Sequence, residues 1–116
     1  MQKPMSDAPS CTPCNDPSKA PMALAAAQKK CEALPNWKLT EGAKALERNV
    51  TFKNWKQAFA LVKKLDVLAE AEKHHPDIHF GWGYCNIMLT THNIDGLSEN
   101  DFIMAAKIET LIGSNA

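Results

Sequence analysis

Three of the chain's four histidines fall at two places where periodic sequence stops. His74 and His75 stand side by side in Glu70-Ala71-Glu72-Lys73-His74-His75-Pro76, and His92 follows Thr91 in Thr91-His92-Asn93-Ile94-Asp95-Gly96-Leu97-Ser98-Glu99-Asn100-Asp101. Imidazole is the side chain whose unperturbed pKa, about 6.5, lets it give and take a proton near neutrality. Three of them at element junctions, with carboxylates at Glu70 and Asp101, point to general acid/base chemistry. Glu70 lies four residues before His74, the spacing of neighbours on a helix. Its carboxylate is therefore expected to fix that imidazole's tautomer and favour its charged form. Asp101 either orients His92 or caps the helix in which it stands.

Three histidines are also a catalytic zinc set, and the spacing argues against that use. Neighbours such as His74 and His75 diverge by about 100° on a helix and about 180° on a strand. His75 and His79 have a spacing that brings side chains together only on a helix, which Pro76 disfavours at His75. Nucleophilic catalysis is weakly supported, because Cys85 lies mid-strand and Ser98 reads as a helix cap. His79, Trp37 and Trp55 read as packing residues, and Trp82 either packs or lines a flat pocket for a heteroaromatic ring.

Five elements position these groups. Lys53 to Lys73 is predicted as the longest helix, from an apolar stripe of Trp55, Phe59, Val62, Leu65, Leu68 and Ala69. Pro76 places the histidine pair where that helix gives way to extended chain. His79 to Thr91, rich in aromatic and β-branched residues, is predicted as a long strand with His92 at its far end. Trp37 to Thr40 and Lys44 to Phe52 are predicted as a hairpin around Glu41-Gly42-Ala43, with Arg48 breaking an apolar face of Leu46, Val50 and Phe52. An alanine-rich helix from Pro21 to Leu34 precedes them, carrying Leu24, Ala27, Cys31 and Leu34 on one side. Ser98 and Asp101 have capping spacing, Phe102, Ala105, Ile108 and Ile112 give the last helix its stripe, and Gly113 ends it. The class is α+β, a small antiparallel sheet with helices packed on one face. The residues themselves suggest three strands, with an exposed edge open to another subunit.

Composition bounds the rest. The 116 residues suit one domain, read as 22–113, after a tail over 1–21 that holds five of the seven prolines. In that tail Cys11-Thr12-Pro13-Cys14 has the spacing of half a zinc knuckle, and Cys31 and Cys85 do not complete it, so free thiols are expected. Thirteen basic residues balance thirteen acidic ones, which leaves no footprint for nucleic acid or an anionic membrane. No apolar stretch suits a secretory signal or a span of about 20 residues, so a soluble cytoplasmic protein is expected.

Ala69-Glu70, His74-His75-Pro76, Thr91-His92, Gly96-Leu97-Ser98 and Asp101 together closely resemble the pterin-4a-carbinolamine dehydratase family. The four-residue step from Glu70 to His74 and the nine-residue step from His92 to Asp101 fit its pattern. Leu34-Pro35-Asn36-Trp37 resembles the family's lead-in to its first strand, and the likeness runs from about Met22 to Ile112. The tail with its two cysteines resembles bacterial members that serve a phenylalanine hydroxylase.

This resemblance implies a four-stranded sheet, which the chain reaches if the segment after Ile78 breaks around Gly81 to Gly83. It also implies a homodimer or homotetramer, no metal and no cofactor, the pterin being the substrate. The implied reaction is loss of water from 4a-hydroxytetrahydropterin to give quinonoid dihydropterin, which recycles the cofactor of aromatic amino-acid hydroxylases. The catalytic set is then His74, His75 and His92, with His74 and His92 as principal acid/base groups. His75, Pro76, Thr91, Asn93 and Ile94 would hold the pterin, and Glu70 and Asp101 would support. Hydroxide leaves carbon 4a poorly, so an imidazolium should protonate it while nitrogen 5 pushes electrons in and yields its proton to a base. Three imidazoles in mixed protonation states supply both roles. The competing reading is a non-enzymatic assembly, dimerisation or coactivator-like protein of the same fold, against which the presence of all three histidines speaks.

Overall fold

The structure, a computed structural model, describes residues 21–114, so nearly all of the expected tail, with Cys11 and Cys14, lies outside the described residues. Helix α1 (Leu24–Cys31) leads into β1 (Lys38–Leu39), a 3-10 turn (Glu41–Ala43) and β2 (Leu46–Thr51). Helix α2 (Trp55–Glu72), β3 (Asp77–Gly81), β4 (Tyr84–Leu89), a second 3-10 turn (His92–Ile94) and α3 (Glu99–Ser114) follow. The expected long strand is thus a hairpin: Gly83, at φ 85°, supplies the left-handed residue of the two-residue turn. All neighbours in the four-stranded sheet are antiparallel, in the order β1-β2-β4-β3.

Register determines which face is covered. Leu46, Arg48 and Val50 of β2 pair with Leu89, Ile87 and Cys85 of β4, and Ile78 and Phe80 of β3 pair with the same Ile87 and Cys85. Apart from Arg48, this set packs with Ala27 of α1, Leu61 and Leu65 of α2, and Phe102, Met104, Ala105 and Ile108 of α3. The helices therefore cover one face, as expected from the alternation. Arg48 is accommodated because Glu109 of α3 accepts a hydrogen bond from its Nε at 2.5 Å and another from Trp37 Nε1 at 2.9 Å. A partly buried guanidinium is kept because its charge is paired in place.

Helix α2 differs from expectation in its buried stripe, which is Ala58, Leu61, Leu65 and Ala69. Trp55 and Phe59 are 49% and 41% exposed. They pack instead around Phe80 at the edge of the sheet, with ring centroids 5.2 and 5.9 Å away. Stacking among themselves meets much of the aromatics' need for apolar contact, and the core accepts the smaller Ala58. Helix α1 is shorter than predicted and leaves Leu24 exposed, β1 keeps only two residues, and α3 runs past Gly113 to Ser114. No helix of the described residues is long and apolar enough to cross a membrane.

Candidate functional site

Asn54 caps the start of α2, its side chain accepting from the Gln57 N–H at 2.9 Å. After eighteen helical residues the helix stops at Lys73, which is left-handed at φ 56° and ψ 38°. The His74 N–H reaches back to Ala69 O at 3.3 Å, closing the end of the helix. A non-glycine residue in this conformation costs about 1 to 2 kcal/mol, so something beyond the local sequence must hold it. Pro76 then favours extended backbone for His75, and β3 begins at Asp77.

The left-handed turn also ends the helical spacing, and the expected Glu70–His74 pair does not form. Glu70 Oε2 instead accepts from His75 Nε2 at 2.6 Å, both side chains being exposed. That hydrogen bond, and the charge of His75 after it, hold the Glu70 carboxyl below the usual carboxylate range. His74 turns inward, and its Nε2 lies 2.7 Å from Oδ1 of Asp101 on α3.

Asp101 is fully buried. A buried carboxylate survives only with donors on its oxygens, and Oδ2 has two: the Thr91 hydroxyl at 2.8 Å and the Ser98 N–H at 2.9 Å. The Ser98 amide bond is the expected capping contact, made here by the carboxylate reaching back to the residue before α3. Thr91 spends its only proton on Asp101, so the Ser98 hydroxyl must donate to Thr91 Oγ1, 2.8 Å away. Oδ1 is left for His74. Its Nε2 must then carry the proton that faces the carboxylate, and Nδ1 is the nitrogen left to exchange a proton elsewhere.

The two histidine segments meet because β3 and β4 are antiparallel. Asp77 pairs with Met88, so the chain entering β3 and the chain leaving β4 lie at one end of the sheet. After Thr91 the chain makes the short 3-10 turn, closes through Asp95 at φ 53°, and returns to bridge Thr91 with Gly96. His92 and Asn93 are exposed on this loop, while Thr91 and Ile94 are buried. The His92 imidazole has no hydrogen-bond partner among the described residues. Of the expected site residues, His74, Thr91 and Asp101 form one bonded network, Glu70 and His75 form a second pair beside it in the chain, and Pro76 joins this pair to β3.

Spacing alone did not show that Thr91 donates to Asp101, since the two are ten residues apart and on different elements. The Ser98 hydroxyl was likewise hidden behind its reading as a cap. Neither described thiol is primed as a nucleophile: burial pushes Cys85 up to about 11 and raises Cys31 as well.

The fold and the site together define a small α+β protein with one covered sheet face and two histidine–carboxylate pairs at one end of the sheet. The chain belongs to the pterin 4 alpha carbinolamine dehydratase family, whose family model matches residues 20–111. A protein of Methylococcus capsulatus with the provisional name pterin-4-alpha-carbinolamine dehydratase is 46% identical over 101 residues, covering 87% of this chain and 88% of its own. One of Aromatoleum aromaticum, with the same provisional name, is 46% identical and covers 87% and 89%. Among solved structures, a transcriptional coactivator/pterin dehydratase from Brucella melitensis superposes with a TM-score of 0.74 at 26% identity, over 78% of this chain and 97% of that one. A pterin dehydratase-like protein identified as a RuBisCO assembly factor in the alpha-carboxysome gives 0.59 at 28% identity, over 67% and 90%.

Proposed function

We propose that this domain, residues 22–113, dehydrates 4a-hydroxytetrahydropterin by histidine acid/base catalysis. The observation that carries the reading is the His74–Asp101 pair, an imidazole locked at Nε2 by a buried carboxylate and so presenting Nδ1 for proton exchange. One imidazolium, at His74 or His92, gives its proton to the 4a-hydroxyl, and the carbon–oxygen bond breaks to release water. The nitrogen 5 lone pair forms the new double bond to carbon 4a, and the proton on nitrogen 5 passes to the other, neutral imidazole. The pair starts and finishes the cycle with one proton beyond its two neutral rings, and solvent at the exposed His92 returns that proton to its first holder.

Asp101 positions His74, and Glu70 does the same for His75, which holds the pterin together with Pro76, Thr91, Asn93 and Ile94. The pterin is the substrate, and the chemistry asks for no further cofactor. A phenylalanine hydroxylase in the cytoplasm is the proposed source of the carbinolamine, and a homodimer or homotetramer is the proposed assembly, with β3, the longer of the two edge strands, as the edge that pairs.

Stopped-flow absorbance of a hydroxylase-generated carbinolamine tests the reaction. The double variant His74→Ala with His92→Ala should fold and no longer accelerate dehydration, and undiminished activity would sink the assignment. A second reading, an assembly or coactivator-like protein, draws on the structural relative identified as an assembly factor and on the exposed Trp55 and Phe59. Purified protein with no dehydratase activity and a stoichiometric partner in a pulldown would favour it.

A further inference from the structure

Lys107 faces inward from α3 with only 9% of its surface exposed. Its Nζ lies 3.6 Å from Glu72 Oε2, and the two side chains are 8% and 12% exposed. A nearly buried lysine is rare without a partner, and truncating one member of such a pair leaves the other's charge stranded. The partner's place in the chain gives the pair its meaning. Glu72 is the last residue of α2, Lys73 is the left-handed residue after it, and His74 comes next.

Helix α3 therefore holds the α2–β3 corner on both sides of Lys73, through Lys107 on Glu72 and through Asp101 on His74. The two holding residues are six positions apart, about 9 Å along a helix at 1.5 Å per residue. Glycine is the usual occupant of a left-handed helix end, and a lysine stays there only where its surroundings over-determine the backbone. One hold would leave that backbone free to pivot about the other. Two holds on one rigid helix set both where His74 leaves α2 and which way its ring faces.

We propose that Lys107 is a positioning residue for the His74 acid/base group, acting through Glu72 and the left-handed Lys73 without touching substrate. The kinetic half of this proposal rests on the dehydratase reading, whereas the geometric half does not. The experiment therefore has two readouts on the full chain. One is the downfield imidazole proton of His74 Nε2 in the NMR spectrum, assigned by its loss in Asp101→Asn. The other is the split between kcat and KM for carbinolamine dehydration.

Lys107→Met should keep native circular dichroism, broaden or lose the His74 signal, and lower kcat about tenfold with KM within about twofold, a modest share of what acid/base catalysis supplies. Lys107→Arg, which keeps the charge, should restore both readouts to within about twofold of the parent. A folded Lys107→Met protein with signal and kcat unchanged overturns the proposal, as does a folded Lys107→Arg protein as defective as Lys107→Met. If Lys107→Met does not fold, Glu72→Gln decides in its place, since it keeps the shape and removes the charge. It should weaken the signal and lower kcat about threefold, and no change in either overturns the proposal. A parent protein without dehydratase activity would end the functional reading, while the NMR arm would still decide the positioning claim.

Discussion

Replacing Asp101 by asparagine isolates one of the three hydrogen bonds that its carboxylate accepts. Volume is unchanged, and the two donors at Oδ2, the Thr91 hydroxyl and the Ser98 amide, both require an oxygen there. They hold the introduced amide oxygen in place and turn its NH2 group toward His74. His74 Nε2 can then no longer donate and must accept, so the ring switches to the tautomer protonated at Nδ1, and its charged form faces a donor. A hydrogen bond to a charged group contributes about 1.5 to 3 kcal/mol. If that interaction is needed when the proton moves, kcat falls by about 10- to 150-fold, at about 1.36 kcal/mol per decade. Stability should fall by less than about 2 kcal/mol, because both donors at Oδ2 keep their acceptor and the start of α3 keeps its cap. Stopped-flow decay of the carbinolamine reads the rate, and imidazole 15N shifts read the tautomer. A flipped tautomer with kcat within twofold would show that the His74 proton is not the one transferred. An unchanged tautomer would show that the 2.7 Å bond is not made in solution.

Two further outcomes follow from local geometry. Lys73→Gly removes the cost of a left-handed side-chain residue at φ 56° and adds chain entropy to the unfolded state, so urea unfolding should show a net gain of about 0.5 to 1 kcal/mol. A loss of stability would mean that the lysine is not strained there. Cys85 is fully buried and holds its proton to about 11, against 9.0 for an ordinary thiol. Between those values the unfolded chain has released this proton and the native state has not, so stability falls as pH rises through that window, by at most about 3 kcal/mol. Cys85→Ala should flatten this alkaline limb of the stability curve, and a limb of equal slope in the variant would assign it to other groups.

The local rules carried far in some places and failed in others for identifiable reasons. Ser98 and Asp101 show their cap in their spacing because the contact closes within one helical turn. Strand propensity alone ran one strand through Gly83, and only the family resemblance implied the break there; the left-handed glycine makes the turn because that position has few other occupants. The α2 stripe was misplaced at Trp55 and Phe59, because hydrophobicity alone does not distinguish a residue in the core from one stacked at the sheet's rim. Arg48 broke a strand pattern that becomes regular once Glu109 arrives from 61 residues away.

By itself the sequence determined which groups could move protons and where the chain would turn to present them: imidazoles at 74, 75 and 92, a proline after the pair, a cap at Ser98. Residue identity and short-range backbone sterics suffice for that. Only the tertiary structure decided the partners. Helical spacing assigned Glu70 to His74, yet the left-handed Lys73 passes Glu70 to His75 and swings His74 onto Asp101, where Thr91 from the end of β4 holds the carboxylate. Pairings among side chains on different elements depend on the register of the sheet and on how α3 packs across it, and no local propensity encodes those.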